Sequence, residues 1–120
     1  MHLLEKMSNT LVKSSSSECI ANFEQRLADA SGPVIVDFTG AYCGPCKLLI
    51  PLLADLAADY QGAVEVWTID IEQQQELAQH YGVRSVPTLL AFRGTLVQAQ
   101  QVGFSGPHKV REMFADLAKK

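Results

Sequence analysis

The chain has 120 residues, enough for one core of ordinary size. Hydrophobic residues make up 48% and charged residues 19%, which argues against disorder, and the net charge of −3, with Lys and Arg scattered singly apart from Lys119-Lys120, leaves no basic stripe for nucleic acid. No apolar run reaches the roughly 18–20 residues that span a bilayer, and residues 1–7 carry no apolar signal core or small-residue cleavage site, so a cytoplasmic monomer without a membrane partner is expected.

Residues 1–9 have no period and read as a flexible leader before a domain over residues 10–120. Thr10-Leu11-Val12-Lys13 fits a short edge strand. Ser15 with Glu18 is a capping-box pattern, and Ile20, Phe23 and Leu27 fall on one face of the helix that follows. Ser31-Gly32-Pro33 ends it. Val34-Ile35-Val36-Asp37-Phe38 is a nearly continuous apolar, β-branched run and predicts a strand buried on both faces, with a single carboxylate inside it. Cys43-Gly44-Pro45-Cys46-Lys47 then opens a helix whose wide apolar face draws on Leu48, Leu49, Leu52, Leu53, Leu56 and Ala57. Pro51 lies inside that helix and predicts a kink, and Gly62 closes the segment.

Residues 63–69 predict a second strand, with Val64, Val66 and Thr68 alternating against Glu65 and Trp67. A polar helix over residues 73–81 follows, stopped by Gly82. Residues 87–92 form a third apolar strand, Arg93-Gly94 turns the chain, and residues 95–102 return as the other arm of a hairpin. Gly103 breaks it. Gly106-Pro107 suits the cap and first position of a last helix that buries Val110, Phe114 and Leu117. The order β-α-β-α-β-α-β-β-α predicts an α/β domain, a central mixed sheet flanked by helices on both faces.

Three cysteines are too few, and too odd in number, for the framework of a secreted mini-protein. The close pair Cys43 and Cys46 is the candidate for chemistry. A thiolate attacks disulfides, and free cysteine titrates at about 8.5, so little of it is reactive at neutral pH. A cysteine at a helix start meets unpaired backbone N–H groups and the positive end of the dipole, which favour the thiolate. With two residues between them, Cys46 lies one turn on, placed to resolve a mixed disulfide made by Cys43. A bare Cys-x-x-Cys also serves as half of a zinc site. The other ligand candidates, Cys19, His2, His80 and His108, include no second close pair, and the dithiol's place between an apolar strand and an amphipathic helix favours redox chemistry, with no metal.

Val34-Ile35-Val36-Asp37-Phe38, the Cys43-Gly44-Pro45-Cys46-Lys47 motif, Pro51, the stretch Tyr81-Gly82-Val83-Arg84-Ser85-Val86-Pro87-Thr88 and Gly103 together resemble the thioredoxin family, over about residues 10–118. The resemblance implies the thioredoxin fold and a protein-disulfide reductase, with Cys43 as nucleophile and Cys46 as resolving thiol. It implies that Asp37 is a buried acid relaying a proton to and from Cys46, and that Pro87 is cis beside the dithiol. Tyr42, Gly44, Pro45, Val86, Pro87, Gly103 and Phe104 would then form an exposed apolar rim for substrate. It also implies no bound cofactor, reducing equivalents from NADPH through thioredoxin reductase, and disulfide-bearing proteins as substrates.

The chain departs from the family pattern at three places. Tyr42 and Thr39 stand where the family usually has tryptophan, and Thr68 aligns with the family's lysine near the buried acid. The last change implies an Asp37 without a cationic neighbour. Cys19 reads as packing on the first helix. The competing reading is a binding module that holds a partner on the same rim without turnover; two intact cysteines favour the reductase.

Overall fold

The structure, a computed structural model, describes residues 20–119. The expected strand at 10–13, the Ser15 and Glu18 capping pattern, Cys19, His2 and the leader lie outside these residues. The described elements are α1 (Ile20–Asp29), β1 (Val34–Thr39), α2 (Gly44–Asp59), β2 (Glu65–Asp70), α3 (Gln75–His80), β3 (Thr88–Arg93), β4 (Leu96–Val102) and α4 (Pro107–Ala118).

Among the described residues the sheet has the order β2-β1-β3-β4. β1 runs parallel to β2 and antiparallel to β3, and β3 is antiparallel to β4, so the sheet is mixed as expected. The period of two along each inner strand sorts side chains onto two faces. Ile35, Val66, Leu89 and Ala91 meet Leu49, Leu53 and Leu56 of α2 and Val110, Phe114 and Leu117 of α4. Val34, Val36, Phe38, Trp67, Leu90 and Phe92 meet Phe23 and Leu27 of α1 and Leu77 of α3 on the other face. Helices therefore cover both faces. Trp67 packs edge-on against Phe23, with ring centroids 5.9 Å apart, and the Arg26 guanidinium lies 5.1 Å from the indole centroid. Both faces of β2 are thus buried.

Several boundaries shift for local reasons. β2 begins at Glu65 instead of residue 63, because Ala63 and Val64 still bond back to the Tyr60 carbonyl at the end of α2. β3 begins at Thr88 instead of Pro87, which has no N–H to donate. Gly94 reverses the chain with a φ of 59°, a conformation glycine adopts without steric cost. α2 continues through Pro51 to Asp59. Leu48, expected on the apolar face of α2, is 68% exposed. Leu49, Leu53 and Leu56, at spacings of four and three, already face the sheet, and Leu48 sits a quarter-turn away from them.

Leu53 has no exposed surface and packs between α2 and the sheet, so Leu53→Ala leaves a cavity. The expected loss is about 2–5 kcal/mol, read as a lower denaturant midpoint at unchanged slope. Leu96→Ala, at a position 67% exposed on β4, is expected to change stability by less than about 0.5 kcal/mol.

Candidate active site

The dithiol owes its position to β1, which delivers the chain to one end of the sheet and passes it through a short turn into α2. Cys43 is the residue before the helix, with extended backbone (φ −124°, ψ 107°). Its sulfur accepts the Cys46 backbone N–H at 3.1 Å, which satisfies one of the donors a helix start leaves open. Its carbonyl accepts the Lys47 N–H at 3.3 Å. Gly44 and Pro45 are the first helical residues, where a missing proline N–H costs no bond. No acidic side chain occupies the first turn, so nothing local offsets the positive helix end.

The sulfurs of Cys43 and Cys46 are bonded at 2.07 Å, with 5.2 Å between the Cα atoms, so the structure shows the oxidised pair. Both cysteines are buried, and Cys43, 7% exposed against 2% for Cys46, is the more accessible of the two. Zinc would need further ligands beside this pair, and among the described residues no three His, Cys, Asp or Glu side chains are grouped to hold a metal ion.

Three loops meet the dithiol's end of the sheet. Phe38 pairs with Thr88, and Thr88 with Val102, so Gly40 after β1, Val86-Pro87 before β3 and Gly103 after β4 all gather there. The Val86–Pro87 bond is cis. The Gly103 N–H donates to the Pro87 carbonyl at 2.8 Å, with Gly103 at a φ of 82°. Thr88 Oγ1 donates to the Ser85 carbonyl at 2.8 Å and fixes the loop from below. Gly40 was not singled out from the sequence. A Cβ there would sit 3.4 Å from Val86 Cγ2, an ordinary van der Waals distance, which puts Gly40 beside the Val86-Pro87 loop. Its signal was a glycine between a buried strand and a dithiol, where close backbone approach is common.

The expected rim is only partly a rim. Tyr42 is 98% exposed, Gly44 and Pro45 are exposed, and Val86 and Gly103 are half-buried. Pro87 is buried, because the Gly103 and Thr88 segments close over it. Phe104 is also half-buried and packs against the core shared by α2 and α4.

Asp37 is 1% exposed, and neither carboxylate oxygen has a hydrogen-bond partner. Burial disfavours the charged form and raises its pKa from 3.8 to about 7. Asp37 shares a sheet face with Ile35, two residues back, and this is the face that α2 covers through Leu49 and Leu53. Cys46 precedes those residues by three and seven positions and so lies on the same side of α2. Asp37 and Cys46 therefore lie on the same side of the sheet. Thr68 is its register partner on β2.

A family model described as thioredoxin matches residues 14–119. The chain belongs to the thioredoxin family. It is 45% identical over 83 residues to the thioredoxin of Pseudomonas aeruginosa, covering 69% of this chain and 77% of that one. Thioredoxin C-2 of Corynebacterium nephridii is 36% identical over 110 residues, covering 92% of this chain and 97% of its own. Among solved structures, a thioredoxin variant from Halobacterium salinarum superposes with a TM-score of 0.75 at 28% identity, covering 90% of this chain and 92% of that one. The thioredoxin of Malassezia sympodialis gives a TM-score of 0.77 at 24% identity over 91% of each chain, which supports the fold. With family membership and a cysteine pair at bonding distance, the chain is a thiol–disulfide oxidoreductase. Thioredoxins bind no cofactor of their own, take electrons from a thioredoxin reductase and pass them to proteins carrying disulfides. Among the described residues no helix is long and apolar enough to cross a membrane.

The Asp37 burial has a consequence for stability with a definite sign. Between pH 3.8 and about 7 the folded chain keeps a proton that the unfolded chain has released. The contribution of Asp37 to stability therefore falls as pH rises through this window, and is flat above it. Asp37→Asn removes that slope. The variant is expected to gain on the parent with rising pH, by on the order of 4 kcal/mol at pH 8, in urea unfolding of the oxidised proteins.

Proposed function

We propose that this protein reduces disulfides in other proteins, with Cys43 as nucleophile, Cys46 as resolving thiol and Asp37 relaying a proton to and from Cys46. The observation that carries the reading is the asymmetric sulfur pair at the start of α2, with Cys43 capping the helix on the outer side and Cys46 beneath it. The Cys43 thiolate attacks one sulfur of the substrate disulfide. That bond breaks, a bond from Cys43 to the substrate forms, and the other substrate sulfur leaves as a thiolate and takes up a proton. Cys46 then gives its proton to Asp37 and attacks the Cys43 sulfur. The Cys43–Cys46 disulfide forms, the mixed disulfide breaks, and the second substrate sulfur leaves as a thiolate and takes up a proton from water, to which Asp37 returns the one it received from Cys46. Two electrons have passed from the dithiol to the substrate.

A carboxyl titrating near neutral pH suits such a carrier, since it can accept and return a proton with little driving force either way. Substrate rests against Tyr42, Gly44 and Pro45, beside Gly103, and an extended segment of it pairs with the Val86 backbone above Pro87. A thioredoxin reductase, drawing on NADPH, returns the disulfide to the dithiol, and the work is done in the cytoplasm.

Two cysteine variants test the order of events. Cys46→Ser is expected to accumulate the mixed disulfide on Cys43, seen by mass spectrometry as a covalent adduct that added dithiol releases. Cys43→Ser is expected to lose substrate reduction by at least about a thousandfold, as for loss of an activated nucleophile. Retained activity in Cys43→Ser would instead support a binding module.

A further inference from the structure

Two polar side chains are buried next to each other in the middle of the sheet. Asp37 pairs in register with Thr68 on β2 and with Leu89 on β3. Adjacent strands lie about 4.8 Å apart, and residues paired in register show their side chains on the same face. Thr68 is 6% exposed, and its hydroxyl, like both Asp37 oxygens, has no hydrogen-bond partner in the oxidised protein. Valine would fill the space of Thr68 with no polar atom to take out of water. The hydroxyl is therefore a burden on folding unless another state of the site uses it.

We propose that in the reduced protein Thr68 is the positioning residue of Asp37, its side chain turning about χ1 to bring the hydroxyl to the carboxyl, where it donates to the carboxylate when Asp37 ionises and accepts from the carboxylic acid when Asp37 is protonated. A hydroxyl serves both roles, because it carries one donor and two lone pairs; an ammonium only donates, and an alkyl group does neither. The partner is in place for each half of a proton transfer, and no charge has to be buried to provide it. The proposal rests on the reading of Asp37 as the proton carrier.

Other charges do not compete for Asp37 within the sheet. On β2, Glu65 and Asp70 stand at the strand ends, opposite Val34 and Thr39. On β3, Arg93 lies beyond Phe92, the partner of Val34, and donates to the Leu117 and Lys119 carbonyls. On α2, Lys47, Asp55 and Asp59 are exposed, leaving Cys46, with Cys43 at the helix cap, as the buried titratable groups once the pair is reduced. Every charged residue of α4 is exposed.

The test is a carbon-13 NMR titration of the Asp37 carboxyl in the full-length reduced protein and in Thr68→Val and Thr68→Ser, with the pH–rate profile of substrate reduction measured alongside. A charge-assisted bond to the ionised form is stronger than a neutral one, so Thr68→Val is expected to raise the Asp37 midpoint by about one pH unit, roughly tenfold in its acid constant. Thr68→Ser, which keeps the hydroxyl, is expected to hold the parent midpoint. An unchanged midpoint in Thr68→Val, or equal shifts in both variants, would overturn the proposal. If the midpoint shifts as stated while the pH–rate profile does not move, Thr68 still holds Asp37, and the proton-carrier reading falls.

Discussion

Everything at the working end of this protein depends on β1 being held from both sides. Its hydrogen bonds go to β2 and β3, and its side chains are buried above and below the sheet. A strand so fixed ends at a defined point, and α2 must start from there. Cys43 caps α2 and Cys46 lies in its first turn, so the end of the strand sets where both sulfurs stand. The loops at Gly40, Val86-Pro87 and Gly103 then close on the same spot because they follow or precede strands paired to β1 directly or through β3.

That arrangement sets two electrostatic demands against each other. The helix start favours negative charge on Cys43, through backbone donors that need no further side chain. The sheet below disfavours negative charge on Asp37, through loss of water with no compensating bond in the oxidised state. A thiolate outside suits the first step of exchange, and a readily protonated acid inside suits the second, in which Cys46 loses its proton before it attacks the mixed disulfide. The acid is a cost to the fold at neutral pH, and buried titratable groups of this kind gather where chemistry uses them.

Much of this was legible in the sequence, for physical reasons that differ by element. β1 was readable because a run of β-branched residues with no polar alternation has few other uses. The hairpin and α4 were readable from glycine and proline at their ends. The second strand and the polar helix came out too long, since neither Ala63-Val64 nor the run Gln73-Gln74-Gln75 carries a boundary signal. Leu48 looked like core because composition alone does not say which of two adjacent leucines faces the sheet. The cis bond before Pro87 and the partial burial of Phe104 depend on loops packing across the sheet, which local pattern does not encode; the first came only through family resemblance. The pairing of Asp37 with Thr68 joins residues 31 positions apart, and strand register supplied it.

The central claim is that Cys43 and Cys46 form a reducing dithiol, and the reduction potential of that pair tests it most directly. The protein would be equilibrated in graded dithiol–disulfide buffers and its free thiols counted by alkylation. The account predicts a potential near the thioredoxin value of about −270 mV, with the two cysteines oxidising together. A potential near the strongly oxidising end, about −120 mV, or a pair that does not oxidise reversibly, would contradict it.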